Sequence, residues 1–187
     1  RVAPFAFSSA SKESPRPCGS AWQRPGESWP NSSPLPCTAR TLRTLAKGGH
    51  VLRGRRAFAT LQYMCTQCHD VDGSVSLLGP SLVRIGQSVT REQMVHSILN
   101  PSAAFPPQYQ AWVVRTRDGA SHPGLQLDHK AAGAIELLGL DKKTLRFEAN
   151  EIESYEASPD SLMPSGLETL MSVPDFRNIV AYLESLR

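Results

Sequence analysis

Cys65, Cys68 and His69 stand in the order C-x-x-C-H. Two thiols separated by two residues can reach both vinyl groups of one porphyrin and form thioethers. The next residue can then place an imidazole nitrogen on the iron from one face. The pattern is the attachment signature of a c-type haem. A zinc site competes poorly, because it normally wants four Cys or His ligands, and no second C-x-x-C or H-x-H partner is present. A thioredoxin-like pair would want a βαβ pattern around it and needs no histidine.

These groups need a helix and a second partner to position them. From Gly54 to Cys68, the residues Ala57, Phe58, Leu61, Met64, Cys65 and Cys68 form a stripe of helical period. It predicts one helix that turns Phe58 and Leu61 to a core and delivers both thiols at its C-terminal end. Gly79-Pro80 follows. A carbonyl there can accept the Nδ1 proton of His69, fixing the ring and strengthening it as a donor to iron. An ordinary turn is the other reading of that dipeptide.

Gly54-Arg55-x-x-Phe58 ahead of the C-x-x-C-H, Gly79-Pro80-Ser81-Leu82, and a terminal helix with Ala181-Tyr182-Leu183 resemble class I cytochrome c domains. A longer pattern is more specific. Ser97-Ile98-Leu99-Asn100-Pro101-Ser102 is followed by Tyr109 and by Val113-Val114-Arg115-Thr116-Arg117-Asp118-Gly119, and later by Ser161-Leu162-Met163-Pro164-Ser165-Gly166-Leu167. Together these look like the haem-binding domains common in planctomycetes, verrucomicrobia and acidobacteria. The resemblance spans about residues 52–187. It implies a mainly α cytochrome c fold with an inserted small antiparallel β-sheet before a distal methionine, so α+β in detail. It also implies one covalently attached haem c and a periplasmic or otherwise exported location, since haem is joined to thiols outside the bacterial cytoplasm.

Length agrees with one such domain: the chain has 187 residues, against a prior of ~100–200 per domain. The expected division is a Pro/Ser-rich basic extension at 1–50 and a c-type haem domain at 51–187, with its β-rich insert at about 108–157. Seven of the fifteen prolines fall in the first 40 residues, which argues for loop or extended chain there. Residues 1–56 carry ten Lys/Arg against Glu13 and Glu27, a net +8; the remainder carries ten against fifteen, a net −5. A basic arm could dock an acidic partner, a membrane surface or haem propionates; a solvated linker is the plainer reading. Cys18 and Cys37 could close a disulfide in an oxidising compartment, and Trp22 and Trp29 could pack the segment down. The sequence begins without Met and has no apolar leader core, so it reads as a mature or trimmed product. No apolar run reaches the ~18 residues of a membrane span.

Elsewhere, Thr90 reads as the cap of a helix from Arg91 to Leu99, with Gln93 completing a capping box and Asn100-Pro101 ending it. Tyr109–Arg117, Gly124–His129, Ala134–Leu140, Thr144–Ala149 and Ile152–Ala157 read as short strands, with turns at Asp118-Gly119 and Asp141-Lys142-Lys143. They predict a small antiparallel sheet or open barrel. Asp175–Leu186 reads as the last helix, with Pro174 suited to its first turn.

Four methionines compete for the distal position. Met64 adjoins Cys65 and cannot loop over the opposite haem face. Met94 and Met171 have helical, apolar surroundings that suit packing. Met163 lies in an irregular segment that can press a thioether onto iron, and it matches the resembled family's distal methionine. His96 is the rival, giving a bis-histidine site. The cofactor-binding set is therefore Cys65, Cys68, His69, Met163, Pro80 and Phe58, with His69 and Met163 on the metal. Arg55, Arg56 and Arg84 could face propionates, or be simply solvated. Trp112 is a candidate contact between the insert and the haem edge, or else a buried sheet residue.

A weak thioether donor favours ferrous iron and raises the potential relative to bis-His. Six-coordinate iron leaves no open position for substrate. The expected function is thus single-electron transfer to or from a partner oxidoreductase, not catalysis. In the resembled family that partner is often a sugar or alcohol dehydrogenase. No nucleic-acid partner and no transmembrane segment are expected. The alternatives are a small-ligand sensor whose distal ligand is displaceable, or an interaction module built on the sheet.

Overall fold

The computed structural model describes residues 45, 47–74, 78–127 and 134–187. Helix α1 (Val51–Phe58) is followed by a 3-10 turn at Leu61–Tyr63, the single helical turn α2 (Cys65–Cys68), the short α3 (Ile85–Ser88) and α4 (Arg91–Leu99). Strands β1 (Ala111–Thr116), β2 (Ser121–Gln126), β3 (Ile135–Gly139), β4 (Thr144–Phe147) and β5 (Ile152–Ala157) come next. A 3-10 turn at Leu167–Leu170 and the long α5 (Val173–Ser185) close the described chain. The proposed Cys18–Cys37 bridge, Trp22, Trp29 and the basic arm up to residue 44 lie outside the described residues, as does His129.

The helical layer is organised by α5. A Cβ on Gly54 would lie 1.8 Å from the carbonyl oxygen of Asn178, and one on Gly86 2.2 Å from that of Glu184. Only glycine lets α1 and α3 approach the α5 backbone so closely. The Asn178 side chain accepts from His50 N at 2.8 Å, satisfying a donor at the start of α1. Phe58 meets Tyr182 edge-on, with centroids 5.8 Å apart. Met94, Val95 and Leu99 of α4 join Phe176, Ile179 and Val180 in the same buried cluster. Leu45 also belongs to it, so packing begins upstream of the boundary expected at residue 50. Helix α4 starts on the expected capping box, with Thr90 Oγ1 accepting from Gln93 N and Gln93 Oε1 accepting from Thr90 N. Helix α5 is capped by Ser172, with Pro174 in its first turn.

The single helix expected from Gly54 to Cys68 is not formed. Helix α1 stops at Phe58, Leu61 is 74% exposed, and Met64 adopts a left-handed conformation at φ 58°. Tyr63 is the residue that turns inward instead, its hydroxyl donating to Asp175 Oδ2 at 3.1 Å. That tertiary anchor on α5, with the left-handed Met64 after it, replaces the periodic stripe. The thiols are delivered by a separate turn.

The sheet is antiparallel throughout, in the order β4-β3-β2-β1-β5. Edge strands β4 and β5 are joined by only residues 148–151. In a flat sheet they would lie about 19 Å apart, and five residue steps span at most about 18 Å. The sheet therefore curls. Its concave face encloses Val114, Ile135, Leu137 and Phe147, with Trp112 stacked on Tyr155 at 4.6 Å. Its other face turns Leu125 and Leu138 toward Leu78, Cys68 and Leu162.

This overturns the mainly α cytochrome c fold. The five-stranded sheet buries a cluster on each face and forms a layer of its own beside the helices, so the architecture is α+β. The reason lies in the register. Ala111, Leu125 and Leu138 face one side while Val114, Leu137 and Phe147 face the other, so apolar residues cover both sides of the pleat. Strand bounds shift slightly. Strand β2 begins at Ser121 and includes Pro123, which costs no bond to β3 because β3 pairs only with Gly124–Gln126. Among the described residues no helix is long and apolar enough to cross a membrane.

Gly54→Ala tests the α1–α5 contact. In an open helix this change gains up to ~1 kcal/mol. Here it should cost about 2 kcal/mol or more in urea unfolding, because the helices must separate. A stabilised variant would show that the contact is misplaced.

Candidate functional site

Helix α2 is one turn long. His69 N donates to the Cys65 carbonyl at 3.0 Å, closing it, and Cys65 and Cys68, three positions apart, share a side. His69 then becomes extended, at φ −116° and ψ 139°, which carries its ring away from the turn. Both thiols are half-buried and neither is in a disulfide. Burial pushes the Cys65 thiol up to about 11, and it also raises that of Cys68, with Lys142 acting against it. A redox or zinc-binding C-x-x-C is instead activated by a lowered thiol pKa. Among the described residues no three His, Cys, Asp or Glu side chains converge as a metal-holding group, so the three groups are not a chelate by themselves.

The His69 ring lies 2.8 Å through Nδ1 from the Pro80 carbonyl oxygen, the partner expected from the Gly79-Pro80 dipeptide. A carbonyl can only accept, so Nδ1 carries the proton and Nε2 keeps its lone pair. Burial lowers the His69 pKa and favours the neutral ring; the Pro80 hydrogen bond and the charge of Asp70 pull the other way. Gly79 is packed flat on this arrangement: a Cβ there would sit 3.0 Å from His69 Cε1 and from the Cys68 carbonyl oxygen. The loop that brings Pro80 back is pinned by Asp70, whose Oδ1 accepts from Ser81 Oγ at 3.0 Å and from Gly73 N at 3.1 Å.

Met163 is half-buried in the loop between β5 and the last 3-10 turn. That loop is held by Ser161, whose N donates to Ser102 Oγ at 3.0 Å and whose Oγ accepts from Met163 N at 3.1 Å. The neighbouring Leu162 packs on the Leu78, Leu125 and Leu138 cluster that also borders Cys68. The segment carrying Met163 thus meets the same apolar seam as the second thiol. Phe58 lies in the helical core against Tyr182, away from that seam. His96 is half-buried near the C-terminal end of α4. Met94 is core and Met171 packs on it, while Met64 is exposed.

Trp112 does not reach the Cys68 side. It shares a strand face with Val114, on the concave side of the sheet. Arg55, Arg56 and Arg84 are all exposed. The insert instead meets the C-x-x-C turn through Leu125 and Leu138, and through Lys142, whose charge acts on Cys68 from the β3–β4 turn at φ 64°. Sequence reasoning passed over these residues and Asp70 with Ser81. The adjacency of Asp70 to His69, and of Ser81 to Pro80, was the available signal. Two open clefts of about 500 Å³ lie elsewhere, around Arg91 and Glu184, and are lined by no cysteine or histidine.

No protein-family model matches this chain, and no curated protein matches it. The chemistry of the site has to be read from its own side chains.

Two substitutions check this geometry. Leu138→Ala should cost ~2–4 kcal/mol by opening the seam over Cys68, whereas Leu140→Ala, at a residue 55% exposed, should stay within about 0.5 kcal/mol; equal effects would contradict the packing. Glu168, just beyond Met163, has both carboxylate oxygens buried without a hydrogen-bond partner among the described residues, and burial raises its pKa. A raised carboxyl stabilises the fold at acid pH and loses that contribution as pH rises through its folded value. Glu168→Gln should therefore be more stable than the parent at neutral pH, with the difference vanishing below about pH 4. A variant less stable at neutral pH would mean that Glu168 has an ionic partner.

Proposed function

We propose that this chain is an exported monohaem c-type cytochrome that exchanges single electrons with a partner oxidoreductase, in keeping with its resemblance to class I cytochrome c domains. One observation carries the reading. Directly after a C-x-x-C turn, burial keeps the His69 ring neutral, the Pro80 carbonyl fixes its proton on Nδ1, and its Nε2 lone pair has no hydrogen-bond partner among the described residues. That is the form of imidazole that binds iron.

The donor set fits a covalently held haem. Two protonated thiols on one side of a single turn suit addition to two vinyl groups, and Gly79 leaves room for the His69 ring. Cys65 and Cys68 would hold the macrocycle, and His69 Nε2 and the Met163 thioether would bind its iron. Bound haem would supply a one-electron iron couple. Pro80 fixes the tautomer of His69, so the ring needs no reorientation when charge changes beside it. Leu125 and Leu138 pack beside Cys68 and cover part of it. The partner would be a dehydrogenase acting on sugars or alcohols, and the location periplasmic or otherwise exported.

Visible spectra of the oxidised and reduced protein, beside those of Met163→Ala and His96→Ala, test this. The expected result is a low-spin spectrum with the weak far-red band of an iron–thioether bond, abolished by Met163→Ala alone. Pigment that survives acid–acetone extraction, and fails to do so in Cys65→Ala/Cys68→Ala, would establish attachment. A high-spin spectrum that responds to added small ligands would replace electron transfer with a sensing role. A band lost in His96→Ala instead would move the second ligand there. A colourless protein after expression with haem maturation would sink the reading altogether.

A further inference from the structure

Asp70 is the sole buried Asp, Glu, Lys or Arg among the described residues, at 7% exposure. A buried carboxylate is costly to keep unless its hydrogen bonds repay the lost hydration. Only half of this one is satisfied. Oδ1 accepts from Ser81 Oγ at 3.0 Å and from Gly73 N at 3.1 Å, while Oδ2 is buried with no hydrogen-bond partner among the described residues. The main chain adds a third tie, since Leu82 N donates to the Asp70 carbonyl at 2.8 Å.

The ties close a small circuit. Asp70 follows His69 directly, and Ser81 and Leu82 follow Pro80 directly. Holding Ser81 and Leu82 on Asp70 fixes the peptide whose carbonyl meets His69 Nδ1 at 2.8 Å. Pro80 itself has no N–H with which to anchor that peptide. With Oδ2 unpartnered among the described residues, hydrogen bonds offset only part of the carboxylate that follows His69 in the chain.

We propose that Asp70 is a positioning residue for His69 and that its buried charge holds down the reduction potential of iron bound there. This rests on the reading of His69 as an iron ligand. A fixed anion close to the metal favours the ferric over the ferrous state, because the ferric centre carries one more positive charge. It acts against the Met163 thioether, which raises the potential. The chain would thus set its potential by opposing a weak axial donor with a nearby carboxylate.

The test compares midpoint potentials of the haem-loaded wild type, Asp70→Asn and Ser81→Ala at neutral pH and one ionic strength. Asp70→Asn keeps the shape and the Oδ1 acceptor while removing the charge, and should raise the midpoint. Ser81→Ala keeps the charge while removing a donor that offsets it, and should lower the midpoint. A purely structural role would shift both the same way or neither. An unchanged or lowered midpoint in Asp70→Asn, with its low-spin spectrum intact, overturns the proposal and leaves the iron-ligand reading standing. If Asp70→Asn fails to fold, Ser81→Ala decides alone, and an unchanged or raised midpoint overturns the proposal. A wild type without covalent haem overturns both.

Discussion

Where α1 crosses α5, the Gly54 backbone lies so close to the Asn178 carbonyl that no side chain fits between them. That contact is costly to shift, because packed helices have no slack to absorb a displaced backbone. It sets the direction in which the chain leaves α1 at Phe58. Tyr63 then fastens to Asp175 further along the same helix, leaving Met64 alone before the first thiol. The chain on the far side of the site is tied to α5 as well. Gly86 packs on the Glu184 carbonyl, and Gly86 N donates to the Leu186 carbonyl at 2.9 Å. The described residues 65–74 and 78–81 therefore lie between two attachments to one helix. The His69–Pro80 hydrogen bond is formed inside that span.

The sheet contributes from the other direction. By curling, it closes its concave face on its own residues, which leaves the opposite face free to act as a cover. Leu125 and Leu138 cover part of Cys68, and the same seam receives Leu162 from the loop carrying Met163. Both candidate iron-binding segments thus depend on one apolar layer, although nearly a hundred residues separate them in the chain. Burial of this kind explains the raised thiol pKa values and the neutral imidazole together, since the same desolvation disfavours thiolate and imidazolium alike.

Local signals were read well. The Thr90–Gln93 capping box, the start of α5 around Pro174 and the strands at 111–116 and 152–157 each depend on residues a few positions apart. The Gly79-Pro80 dipeptide likewise pointed to the partner of His69. Reading failed where a distant residue outvoted a local pattern. The stripe from Ala57 to Cys68 has helical period, yet Tyr63 gains more by reaching Asp175 than the stripe gains by continuing. For Trp112, the insert leaves two places open, the haem edge or the sheet itself. Register alone sends it to the other face of the sheet.

By itself the sequence determined the chemistry on offer: two thiols and an imidazole at fixed spacing, a proline carbonyl within looping distance, and a loop methionine downstream. Those are properties of residue type and short separation, and they survive any fold that keeps the chain intact. Only the tertiary structure decided which of these groups are buried, which nitrogen of His69 is left with its lone pair, and that Asp70 and Ser81 brace the carbonyl that fixes it. It also decided that the sheet is a full layer with two apolar faces. The reason is that burial and hydrogen-bond direction depend on what arrives from elsewhere in the chain, and α5 and the sheet arrive from more than forty residues beyond His69.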